Sequence, residues 1–72
     1  MEKSTIRLGL GKRIRELRLK QHYAQEKFAE AAHIDYKYLQ RIEGKHTPNL
    51  KIETIQRIAK ALHISIAKLL DF

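Results

Sequence analysis

Tyr36, Lys37, Gln40 and Arg41 bring a phenol, an ammonium, an amide and a guanidinium into one short stretch. On a helix, the spacing i, i+1, i+4, i+5 places all four on one face. Such groups donate and accept hydrogen bonds, so their chemistry is recognition of a polar surface rather than bond-making. Catalysis finds no support elsewhere in the chain. No nucleophile–base arrangement and no glycine-rich phosphate loop are present, there are no cysteines, and Ser4 and Ser65 both have helix-capping roles that explain them. The chain is therefore not expected to be an enzyme. Four histidines invite a metal hypothesis, but none of them lies four residues from another, the spacing of a zinc helix. No metal, cofactor or small-molecule ligand is expected. His46 falls in a polar loop, where it could contact a phosphate.

The elements that must hold this polar face are short. Gln25 to Ala32 reads as one helix, with a break at Ala32-His33-Ile34. A second helix starts at Asp35, an N-cap type whose side-chain oxygen can accept from the free N–H groups of the next turn. Phe28, Ala32, Ile34, Leu39 and Ile42 give each helix one inward stripe. Ala29 is small enough to let the helices cross closely. Residues 25–44 thus form a helix-turn-helix pattern around which the chain is organised.

Upstream, Ser4 or Thr5 can cap a first helix running to about Gln21, with Leu10, Ile14 and Leu17 facing inward and Ile6 extending the stripe by a turn. Gly9 and Gly11 weaken its start, each costing about 1 kcal/mol against Ala. Lys12, Arg13, Glu16 and Lys20 make its opposite face, read as solvated. Lys45-His46-Thr47-Pro48-Asn49 is a loop. A fourth helix follows from about Lys51 to Leu62, with Ile52, Ile55, Ile58, Ala59 and Leu62 inward, and Ser65 caps a last one from Ile66 to Leu70. Ile66, Leu69, Leu70 and Phe72 exceed what so short a helix needs for its own packing. They are candidates for a dimer surface, or else they close the core.

Composition narrows the partner. Seventy-two residues with 43% hydrophobic content, one Pro and three Gly suit one small helical domain spanning 1–72. No apolar run approaches the roughly 18–20 residues that span a bilayer, and MEKSTIRLGL lacks the apolar core of a secretory signal. The absence of cysteine suits a reducing cytoplasm. Fifteen Lys and Arg against eight Asp and Glu give a net charge of +7 and a sequence pI near 10.0. Such a charge suits a polyanion, since each neutralised phosphate releases counterions, although it also serves solubility. An anionic membrane fits less well, because the cations are spread over several segments instead of lining one amphipathic helix.

Several runs together resemble the phage-repressor/Cro class of helix-turn-helix proteins, also called the xenobiotic-response-element family. They are Leu10-Gly11-Lys12-Arg13-Ile14-Arg15-Glu16-Leu17-Arg18, Gln25 to Glu30, Ile34-Asp35, Tyr38-Leu39, Arg41-Ile42-Glu43-Gly44-Lys45, Pro48, and Ile58 to Leu62. The Ile34-Asp35-x-x-Tyr38-Leu39 pattern leans toward the restriction–modification controller proteins. The resemblance implies an all-α, five-helix, lambda-repressor-like domain, a cytoplasmic bacterial or phage-encoded regulator, and double-stranded DNA as the partner of a homodimer. Its second motif helix would enter the major groove. Gln25 and Lys45 would meet phosphates, and Tyr36, Lys37 and Arg41 base edges, while Gln40 would sit at the rim. Tyr38 would pack beside the helix and reach the backbone. Arg18 would pair with Glu43. Two copies would read half-sites about 34 Å apart in a near-palindrome. The family usually has glycine where His22, His33 and His63 stand, and Ser or Thr where Ala24 stands. Those histidines read as helix punctuation, since a residue just past a helix end often turns left-handed. The same fold also serves as an antitoxin or coactivator-type adaptor. An antitoxin, however, is expected to carry an additional toxin-binding tail.

Overall fold

The computed structural model describes residues 5–72; Ser4, one of the two candidate caps, lies outside them. Five helices follow in order: α1 (Thr5–Lys20), α2 (Gln25–Ala31), α3 (Tyr36–Ile42), α4 (Ile52–Ala61) and α5 (Ile66–Leu69). The described residues contain no strand.

Three of the helices stop in the same way. His22, His33 and His63 adopt φ of 60°, 58° and 60°, the left-handed conformation. Behind each, the next residue's N–H reaches back five positions: Tyr23 to the Arg18 carbonyl, Ile34 to Ala29 and Ile64 to Ala59, at 3.1, 2.9 and 3.0 Å. The histidine N–H groups bond Leu19, Glu30 and Lys60 carbonyls at 3.0, 3.1 and 3.0 Å. These paired bonds satisfy carbonyls that a helix end would otherwise orphan, and the residue after each histidine packs on the core. An extended residue then opens the next helix: Ala24, Asp35 or Ser65. Of the three, only Ser65 caps with its side chain, accepting from the Lys68 N–H at 3.0 Å. Asp35 stands at the N-cap position, but its carboxylate makes no capping bond, contrary to expectation.

Helical spacing then brings the apolar stripes together. Leu10, Ile14, Phe28, Leu39, Ile42, Ile58, Leu62 and Leu69 lie in one buried cluster, with Leu17, Ile34 and Ile55 packed against it. The Cα radius of gyration is 11.1 Å, matching the roughly 11 Å expected for a domain of this length. Two residues expected in the stripes face solvent instead. Ile6 is 74% exposed and Ile52 61%. Ile6 lies a turn before Leu10, where the core ends. Ile52 begins α4, and Leu50 just before it takes the inward place, while Thr54 is buried on α4 itself.

The structure revises the reading of two polar features of α1. Arg13 is not solvated: its Nε and Nη2 donate to the carbonyls of Leu69 and Lys68 at 3.3 and 2.9 Å, binding the end of α5. Gln21 does the same for α4, its amide donating to the Leu62 carbonyl at 2.9 Å. Gly11 is also more than a weak helix former. A Cβ there would collide with the Ile42 carbonyl oxygen and lie 2.7 Å from Thr47 Oγ1, so the missing side chain lets α1 cross the end of α3. No helix among the described residues is long and apolar enough to cross a membrane.

Candidate nucleic-acid interface

Helix α3 has a sharply divided surface. Leu39 and Ile42 are fully buried beneath it, whereas Tyr36, Lys37, Gln40 and Arg41 are exposed on one side. Ala29, nearly fully buried, takes the Ile34 N–H on its carbonyl, which holds α2 and α3 together at the turn. Tyr38 is half-buried against the core, and the Arg41 guanidinium lies 6.0 Å from its ring centroid. That is the outer limit of a cation–π contact, so Arg41 rests along the helix yet stays free to extend.

One buried ion pair fixes the far end of α3. Arg18 Nε and Nη2 donate to the two carboxylate oxygens of Glu43, each at 2.8 Å, with the side chains 7% and 2% exposed. Arg18 Nη1 also donates to the Tyr23 carbonyl at 2.6 Å. Gln25 adds its amide N–H to Glu43 Oε1 at 3.0 Å. A single cluster therefore ties α1, the start of α2 and the end of α3. The planar fork of arginine matches a carboxylate bidentately, which sets orientation as well as attraction. Gln25, assigned to a phosphate from the sequence, spends one of its two amide N–H donors on Glu43 and keeps the other.

Beyond α3, Lys45 and His46 are exposed in the loop to α4. The loop is anchored by Thr47, a residue the sequence reading passed over. Its hydroxyl is buried and donates to the Ile42 carbonyl at 2.8 Å. A hydroxyl one residue before a proline in a polar loop offers no sequence signal for that role.

The proposed dimer residues do not share one environment. Leu69 is 0% exposed and belongs to the chain's own core, so it has no surface to offer a second copy. Ile66 is half-buried against that core. Leu70 and Phe72 remain exposed, and the Phe72 ring lies over Gly9 of α1. Among the described residues, no group of three His, Cys, Asp or Glu side chains could hold a metal ion.

A helical pair crossing at a tight turn, with a polar outer face and a locked far end, is the geometry of a helix-turn-helix. The helix-turn-helix family model matches residues 14–69. The chain belongs to that family. It is 37% identical to control protein C.BamHI of Bacillus amyloliquefaciens over 70 residues, covering 96% of this chain and 85% of that protein. Its fold matches the restriction-modification controller protein C.AhdI from Aeromonas hydrophila with a TM-score of 0.80 and 31% identity, over 86% of this chain and 92% of that one. SinR, a master regulator for biofilm formation solved in complex with DNA, matches with a TM-score of 0.80 and 31% identity, over 86% of this chain and 98% of that chain.

Proposed function

We propose that this protein is a sequence-specific transcriptional regulator that binds a near-palindromic site in double-stranded DNA as a homodimer. The observation that carries the reading is the exposed face of Tyr36, Lys37, Gln40 and Arg41 on a helix whose other side is wholly buried. Family membership and relatives named as control and regulatory proteins support it. The protein works by binding rather than by catalysis.

Helix α3 enters the major groove, where Arg41 and Lys37 address guanine O6 and N7. Tyr36 sets its ring against a thymine methyl or its hydroxyl on a phosphate, and Gln40 works at the rim. Tyr38 packs beside the helix and reaches the backbone. Lys45 and the remaining Gln25 N–H meet phosphates, which position the protein without reading sequence. The Arg18–Glu43 pair keeps the reading helix in register with α1. Leu70 and Phe72, with the outer edge of Ile66, supply the apolar surface for the second copy. Each copy then reads one half-site, roughly 34 Å from the other.

Selection of bound sequences from random duplex DNA tests the whole reading. A near-palindromic consensus is the expected result. Enrichment of no sequence at any salt concentration would overturn it and leave the same face to a protein partner.

A further inference from the structure

The α1 cations divide into two sets. Arg13 is spent on the carbonyls that end α5, and Arg18 on Glu43. Lys12 and Arg15 have no ion-pair or hydrogen-bond partner among the described residues, and neither has Lys45. These three line one open cleft of about 820 Å³ between the N-terminal half of α1 and the end of α3. The α1 residues that face it, Thr5, Leu8, Lys12 and Arg15, follow helical spacing along a single side.

We propose that this cleft is a second DNA-backbone site, where Lys12, Arg15 and Lys45 hold a stretch of sugar-phosphate flanking the bases that α3 reads. The inference rests on the regulator reading above and extends its footprint from the motif to α1. Three features favour an extended polyanion. The cations come from two separate elements and converge on one trough. The only carboxylate at its edge, Glu43, is already neutralised by a bidentate arginine and does not repel phosphate. The trough also has an apolar wall, with Leu8 half-exposed beside Gly9, against which deoxyribose can rest between phosphates. The cleft continues to Lys45 just past the recognition helix, so a strand held by the loop runs on into it.

The test compares the full chain with the double variant Lys12→Ala/Arg15→Ala on its selected duplex, across a salt series. Each lost phosphate contact removes about 0.9 from the slope of log K against log salt. The slope should fall by about 1.8, and affinity at 0.1 M salt by roughly tens of fold. Base preference should stay unchanged, and hydroxyl-radical footprinting should lose protection only at flanking backbone positions. Lys20→Ala removes a cation from an exposed part of α1 outside the cleft and should leave slope and footprint alone. Lys12→Gln/Arg15→Gln, which keeps much of each side chain, should reproduce the slope change, with thermal midpoints confirming that each variant folds. An unchanged slope or footprint in the double variants would overturn the proposal, as would an equal effect from Lys20→Ala. If the unaltered protein prefers no duplex, the regulator reading itself falls, which is a separate result.

Discussion

The Arg18–Glu43 pair offers the sharpest test of how the reading helix is held. Its geometry makes the two single truncations unequal to the double one. In Arg18→Ala, the Glu43 carboxylate, 2% exposed, keeps only the Gln25 amide, and the Tyr23 carbonyl loses its donor. In Glu43→Ala, the guanidinium keeps only Tyr23 and the Gln25 amide loses its acceptor. Breaking a buried pair from one side typically costs about 3–5 kcal/mol, because the surviving charge stays desolvated. A chain of 72 residues has a total stability of roughly 4–11 kcal/mol. Either single variant should therefore be largely unfolded or nearly so near 37 °C. The double variant removes both charges and retains the smaller penalty of the stranded Tyr23 carbonyl and Gln25 amide, about 1–3 kcal/mol each when unsatisfied. Its cost should fall short of the summed single costs by at least about 2 kcal/mol. Urea denaturation followed by circular dichroism, at fixed protein concentration, gives the cycle directly. Additive costs, each below about 1 kcal/mol, would match an exposed ion pair and would refute the idea that this cluster positions α3.

The other expectations are more local. Arg41→Ala should relax base preference at one position of the half-site by about 1–3 kcal/mol, whereas Lys45→Ala should weaken all duplexes alike and lower the salt slope by about one; equal weakening of every sequence by Arg41→Ala would remove it from base contact. Gly11→Ala should destabilise by about 1–3 kcal/mol, because the new methyl meets the Ile42 backbone and the buried Thr47. Gly9→Ala should be neutral or stabilising by up to about 1 kcal/mol from helix propensity, since its methyl meets only the exposed, movable Phe72 ring; thermal melts of the two variants should therefore shift in different directions. His63→Gly should raise stability by about 0.5–1 kcal/mol, a few degrees in midpoint, as relief of left-handed strain outweighs added freedom in the unfolded chain. Leu70→Glu should drive the protein toward monomer in sedimentation equilibrium, with its thermal midpoint in dilute solution little changed.

These outcomes separate what periodicity reveals from what it hides. Apolar spacing exposes a helix face, which is why Phe28, Leu39, Ile42 and Ile58 were legible as core. Side-chain type at a helix end exposes the left-handed joint, which is why three histidines in glycine places were legible as punctuation. Neither signal says where a helix meets its neighbours. Arg13 looked like any solvated arginine because its partners are main-chain carbonyls of residues more than fifty positions away, and main chain carries no residue identity. Gly11 looked like a weak point for the same reason: its value lies in a carbonyl that arrives only when α3 docks. Leu69 was ambiguous because a terminal apolar cluster serves a core or a partner equally well until the rest of the core is placed.

Helix α1 illustrates the consequence for function. Its arginines and glutamine join the ends of α5, α3 and α4 through Arg13, Arg18 and Gln21 in turn. Those tethers leave α1 rigid against the motif. A cation carried on α1 is then held at a fixed offset from the reading face, as precisely positioned as one on α3 itself. Counting charge along the sequence treats Arg13 and Arg15 as equivalent. The fold makes the first a structural tie and leaves the second free at the edge of the cleft, and only the second should change the salt dependence of binding.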